Sequence, residues 1–254
     1  MKLRIALSLL SAVALQGAAA PAGALPVAEV RATIDRGAPD CTQIPPQVTP
    51  PLAIDTSEVL PLEVRVMTEA GDLPVVKEHM AVTRAAFDRI GIRMKVRYDK
   101  VVPPVTWEID ELGSGPSQPE IFEFMKGHYG GVRPPGVDIV YFMTRYWAGG
   151  FADCIGGVAY PDLAFAFGSL DYATEGVVPS PTADEGVIAA HEIGHLLGAH
   201  HHYSNCAEAL PSGATRGDVA PCTTMSPLAA TASSTFGLVE RSYVRYYTAE
   251  FARG

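Results

Sequence analysis

Cysteine is scarce in this chain of 254 residues, with only four, which excludes a small domain held together by a dense disulfide framework. Basic residues are the minority charge, 19 Lys and Arg against 28 Asp and Glu. They form no block, so a nucleic-acid partner is not expected. Long apolar runs are missing beyond the N-terminus, so no later segment reads as a bilayer span. No repeat at a period of about 20 to 50 residues is visible, which argues against a solenoid or a propeller. What is present is 48% hydrophobic residues in a length that can bury one large core or two small ones.

The N-terminus carries Lys2 and Arg4, then an apolar run from Ile5 to Leu15 broken by Ser8 and Ser11, then small residues ending in Ala22-Gly23-Ala24. This is the shape of a signal peptide over residues 1–24, and the run is too short for a membrane anchor. The expected product is secreted, or periplasmic if the source has an outer membrane. It would be acidic, with a mild preference for neutral or basic substrates over acidic ones. In an oxidising compartment Cys41, Cys154, Cys206 and Cys222 read as disulfide cysteines with three pairings open.

Residues 25–60 are rich in Pro and Ala, with Pro45-Pro46 and Pro50-Pro51, and read as a linker-like extension. From Leu62 the pattern alternates through Val64 and Val66, the period of a half-buried strand. Asp72 is placed to cap a helix with an inward stripe of Val76, His79 or Met80, Thr83, Phe87 and Ile90. Gly91 closes it, and Ile92, Met94, Val96 and Tyr98 alternate as a second strand. A short helix is expected around Pro119 to Lys126. The apolar stretch Val137 to Met143 suits a central strand covered on both faces. Gly157, Val158, Ala159 and Tyr160 read as a short edge strand.

Five of the seven histidines fall between His191 and His202, in the run His191-Glu192-Ile193-Gly194-His195-Leu196-Leu197-Gly198-Ala199-His200-His201. Thr182 and Glu185 have capping-box spacing, which starts a helix just ahead of this run. On it His191 and His195 lie about one turn apart on one face, so both rings can reach one metal ion. Gly198 permits a positive φ, which ends the helix and lets His201 return as a third nitrogen ligand. Three protein ligands leave one position of a tetrahedral zinc ion open, the arrangement of a catalytic site. Glu192 is then spare as a general base, able to take a proton from water and hand it to a leaving amine. His200 and His202 compete with His201 for the third position, and spacing favours His201. His79 and His128 read as ordinary histidines.

With every fixed position of HExxHxxGxxH present, the chain resembles the metzincin clan of zinc metalloproteases. The segment Cys222-Thr223-Thr224-Met225-Ser226-Pro227 is similar to the clan's Met-turn, with Met225 placed 24 residues after His201. Met225-Ser226-Pro227 is closer to the adamalysin/reprolysin and matrixin branches than to those with a tyrosine two residues after the methionine. His202 departs from the residue those branches usually place after the third histidine. The resemblance implies a mixed α/β (α+β) catalytic domain over residues 61–254, with a twisted mixed sheet, an active-site helix, a loop-rich lower subdomain and a C-terminal helix through Phe236, Val239, Tyr243 and Phe251. It implies one catalytic zinc ion, with calcium left open, and a protein or peptide substrate that adds as a strand along Gly157 to Tyr160. Met225 would pack beneath the histidines, and Tyr160 and residues 202–224 would wall the pocket. Cys41 is expected in a disulfide rather than as a latency thiol on the metal. Two other readings remain: a zinc-stabilised binding or toxin-like module without turnover, and an amidase acting on cell-wall peptides.

Overall fold

The computed structural model describes residues 41, 57–107, 115–147, 149–170, 185–201, 222–226 and 233–252. The expected signal segment and nearly all of the 25–60 extension lie outside them. In chain order the described elements are β1 (Leu60–Glu69), α1 (Leu73–Asp88), β2 (Ile92–Val101), α2 (Gln118–His128), β3 (Ile139–Thr144), β4 (Gly150–Ala152), β5 (Phe165–Ser169), α3 (Glu185–Leu196) and α4 (Leu238–Phe251). The class is mixed α/β, with one five-stranded mixed sheet and, among the described residues, four α-helices.

The strand-helix-strand pattern at the start folds as the alternation requires. Leu62, Val64 and Val66 are buried on one face of β1, and β1 pairs with β2 in parallel, Leu62 opposite Met94 and Val64 opposite Val96. Between them α1 buries Val76, Met80, Thr83, Ala86 and Phe87, so Met80 rather than His79 occupies the inward stripe. Asp72 sits at the helix N-cap without a side-chain capping bond. Its carboxylate instead accepts from Arg145 Nε and from Arg145 Nη2 at 2.6 Å, an ion pair that ties the start of α1 to the end of β3. The helix around 119–126 forms as α2, whose capping box joins Ser117 and Glu120.

The strand order is β2-β1-β3-β5-β4, parallel except for the antiparallel edge pair β4–β5. All six residues of β3 are buried, as expected for a strand covered on both faces. Ile139, Tyr141 and Met143 enter the core shared with α1, α3 and α4, while Val140 and Phe142 enter a second core under α2. At the opposite edge β2 exposes Arg93, Lys95, Arg97 and Lys100, charges that discourage pairing with another chain.

The expected edge strand is displaced in sequence. Gly157–Ala159 form a single 3-10 turn entered by Gly156 at φ 80°, and the strand at the sheet edge is β4, Gly150–Ala152. Gly156 N–H donates to the carbonyl of His195 at 2.8 Å, so this turn braces the last turn of α3 rather than extending the sheet. Cys41 and Cys154 form a disulfide 113 residues apart in sequence, so Cys41 carries no free thiol for a metal. Cys222 is also disulfide-bonded, and Cys206 lies outside the described residues. Among the described residues no helix is long and apolar enough to cross a membrane.

Candidate metal centre

The helix α3 is held from both ends and from below. Its buried residues Ile193 and Leu196, and Leu197 just beyond it, seat it in the core shared with Met225, Phe236 and Tyr247. Glu185, expected to reach back to Thr182, faces α1, with its carboxylate 3.6 Å from His79 Nε2; Thr182 lies outside the described residues. Thr83 Oγ1 of α1 donates to the Gly186 carbonyl at 2.9 Å. At the other end Gly198 has φ 83° and its α-carbon abuts the Tyr247 ring, leaving no room for a side chain and turning the chain sharply.

That turn brings three imidazoles to one point. His201 Nε2 lies 3.0 Å from His191 Nε2 and 3.0 Å from His195 Nε2. Two nitrogens bound at 2.0–2.1 Å to one tetrahedral zinc would stand ~3.3 Å apart, so the spacing suits such an ion. His200 is not a member of the group.

The opposite ring atoms fix which nitrogen is free. His191 Nδ1 is 2.7 Å from the Thr224 carbonyl, and His195 Nδ1 is 2.8 Å from the Ala199 carbonyl. A carbonyl only accepts, so each Nδ1 carries the proton and each Nε2 presents its lone pair to the common centre. Burial reinforces this by opposing protonation: it lowers the His191 pKa to about 4 against the pull of the Thr224 carbonyl, and the His195 pKa falls well below its ordinary value. His191 and His195 are therefore neutral and oriented toward the common centre before any ion arrives.

The Thr224 carbonyl is itself anchored. Thr224 N–H donates to the Thr235 carbonyl at 2.8 Å, and Thr223 Oγ1 donates to Glu240 of α4 at 2.5 Å. Glu240 also accepts from Gly237 N–H, so one fully buried carboxylate caps α4 and holds the turn that orients His191. Met225 follows in that turn, fully buried, with its sulfur against the α-carbon of Gly194 on α3. It thus packs against the helix that carries His191 and His195. Glu240 carries no mark in the sequence, because a buried carboxylate at a helix start looks like any first-turn glutamate.

Glu192 is 5% exposed, and burial pushes its pKa up to about 8. It lies against Gly150 of β4. Tyr141, fully buried in β3, has its pKa raised first by burial and then by the charges of Glu192 and Glu185; its hydroxyl has no hydrogen-bond partner among the described residues. Tyr160 lies just after the 3-10 turn, partly exposed, and residues 202–221, expected as pocket walls, fall outside the described residues.

The fold and the triad together define a class, an α/β domain in which two histidines of one helix and a third from the turn beyond it converge as a candidate metal centre. Residues 78–202 match the family model described as metallo-peptidase family M12B, reprolysin-like. This span contains all three histidines and Glu192, and it supports a zinc-dependent metallopeptidase, a hydrolase of protein or peptide substrates. No curated protein matches the chain by sequence.

Among solved structures, the chain is similar to archaemetzincin from Methanopyrus kandleri, with 15% identity, TM-score 0.45, and coverage of 73% of this chain and 94% of that one. It is also similar to a chain in a chaperone-substrate complex, with 13% identity, TM-score 0.41, and coverage of 66% and 28%. A third likeness is to a zinc-dependent peptidase from Methanocorpusculum labreanum strain Z, with 16% identity, TM-score 0.33, and coverage of 53% and 81%.

Proposed function

We propose that this protein is an exported zinc endopeptidase of the reprolysin-like branch, with Glu192 as general base and acid. The observation that carries the reading is the convergence of the three Nε2 atoms, with a buried carboxylate on the residue next to His191. His191, His195 and His201 would hold a zinc ion, which when bound would supply Lewis acidity and lower the pKa of water to roughly 7.

The chain's own residues do the rest. Glu192 accepts the proton of the attacking water and, once protonated, donates it to the departing amine. Its burial favours holding that proton, since desolvation opposes the charged carboxylate. The carbonyls of Thr224 and Ala199 keep the imidazoles from rotating away. The outer edge of β4, the last strand of the sheet among the described residues, offers main-chain groups to an extended peptide. Export is supported by the basic, apolar and small-residue succession over residues 1–24 and by the Cys41–Cys154 bond, which suits an oxidising compartment. The branch is supported by the family match and by Met225-Ser226-Pro227.

The test is cleavage of a mixed quenched-peptide library by the purified mature chain, with and without a zinc chelator. Chelator-sensitive cleavage is expected, and it should disappear in Glu192→Ala. A chain that binds one zinc ion yet cleaves no peptide would replace this reading with that of a zinc-stabilised binding module.

A further inference from the structure

The β4–β5 pair is lopsided. Toward α3 it presents only Gly150, Ala152, Ala166 and Gly168, with Gly150 paired opposite Gly168 and Ala152 opposite Ala166. Phe151, Phe165 and Phe167 lie toward α2. Backbone conformation does not require glycine at position 150: Gly149 has φ 86°, whereas Gly150 is an ordinary strand residue absent from the positive-φ set. The reason must lie in what fills the space a side chain would take.

That space is occupied by Glu192. A β-carbon at Gly150 would lie 2.6 Å from Glu192 Oε1, 2.7 Å from its Cγ and 2.8 Å from Ile188 Cγ2. Across the pair, a β-carbon at Gly168 would strike the Tyr141 hydroxyl and come within 3.1 Å of Ile188 Cγ2. The two absent side chains therefore make one slot, filled by the Glu192 side chain under Gly150, the Tyr141 hydroxyl under Gly168 and the Ile188 methyl between them. Carbon–carbon contacts prefer ~3.5–4.0 Å, so neither glutamate atom could stay where it is beside an alanine.

We infer that Gly150 is a positioning residue for Glu192, its missing side chain being what allows the carboxylate to lie directly against the backbone of the edge strand. The inference rests on the general-base reading of Glu192 for its consequence in turnover, but the placement is a matter of geometry alone. A misplacement of ~1 Å in a reacting group can cost on the order of 10²-fold in rate. Gly150 would act only through Glu192, so its effect belongs in kcat rather than in KM or in metal affinity.

The experiment compares zinc-loaded wild type, Gly150→Ala, and Gly150→Ala combined with Ile188→Leu, which removes the β-branched methyl and thereby the second contact. Crystal structures, zinc content, melting temperature, kcat and KM are read for each. Both variants should hold one zinc ion and show the Glu192 carboxylate moved off β4. Their kcat should fall by about 10- to 100-fold at nearly constant KM. The Ile188→Leu change should recover melting temperature but not kcat. An unmoved carboxylate in the variants would overturn the inference, and so would full recovery of kcat on adding Ile188→Leu, since that would make helix crowding the cause. If wild type cleaves no peptide, the endopeptidase reading fails while the carboxylate position still decides the role of Gly150.

Discussion

The two faces of the sheet are built from opposite materials. Toward α2 the strands contribute Phe165, buried in the same cluster, and Phe167 and Phe142, whose rings meet Phe122 and Phe124 with centroids 5.0 and 5.6 Å apart, in edge-on and tilted contact. Trp107 extends the cluster through Phe124, and Trp147 through Phe167. Toward α3 the same edge of the sheet is glycine and alanine, and the groups that approach are Glu192, Ile188 and the Tyr141 hydroxyl. One face gains stability by burying large rings, each on the order of 1.5–3 kcal/mol. The other gives up that burial to admit a helix carrying polar groups. Stability and chemistry are thus segregated by strand alternation, and changes on the two sides should fail in different ways.

The sharpest break in that division comes from Glu192→Ala on the chemical face. Activity should drop by about 10²- to 10⁴-fold with zinc content retained and no loss of melting temperature, checked by peptide hydrolysis and calorimetry. On the aromatic face, Phe142→Ala should cost ~3–5 kcal/mol in denaturant unfolding while the folded fraction keeps its kcat. Glu240→Ala crosses the division: losing the acceptor for Thr223 and Gly237 should cost about 2 kcal/mol of stability. It should also speed zinc loss to a chelator, because Thr224 then holds His191 less firmly.

Acid acts on the chemical face through His191. The folded pKa of His191 is depressed to about 4, so the unfolded state takes up its proton first as pH falls below about 6.5. The contribution of His191 to the stability of the metal-free protein is therefore lost between pH 6.5 and 4, and is present in full above that window. Guanidinium titrations at pH 7 and pH 5 read the difference, which His191→Gln should shrink. The smallest effect belongs to the outer edge strand. Lys95→Ala removes an exposed ion pair to Glu63, and its unfolding free energy should change by no more than about 0.5 kcal/mol.

Much of the chemical face was legible before folding because its information is local. His191 and His195 are spaced by one helical turn, Gly198 marks the end of that helix, and the strand, helix, strand succession from Leu62 to Tyr98 follows simple periods. What escaped is non-local or short. β4 is three residues long, too brief for alternation to register, and the apolar Val158, Ala159 and Tyr160 drew the strand reading to a segment that Gly156 turns into a helical loop. Asp72 looked like a cap because its partner, Arg145, is 73 residues away. The signal that could have located the true edge is the large-small succession Phe165-Ala166-Phe167-Gly168, whose small members face the helix.

The bond between Cys41 and Cys154 has a consequence for anyone who handles the protein. Any cut in the backbone between residues 42 and 153 leaves two polypeptides joined through sulfur, and the nicked material keeps the mobility of a single species on a gel without reductant. Only with thiol present do the pieces part. End-group sequencing would then find a second N-terminus in a sample that otherwise looks whole, and a segment trimmed after Cys41 would leave its upstream remnant still attached beside the 3-10 turn that braces His195.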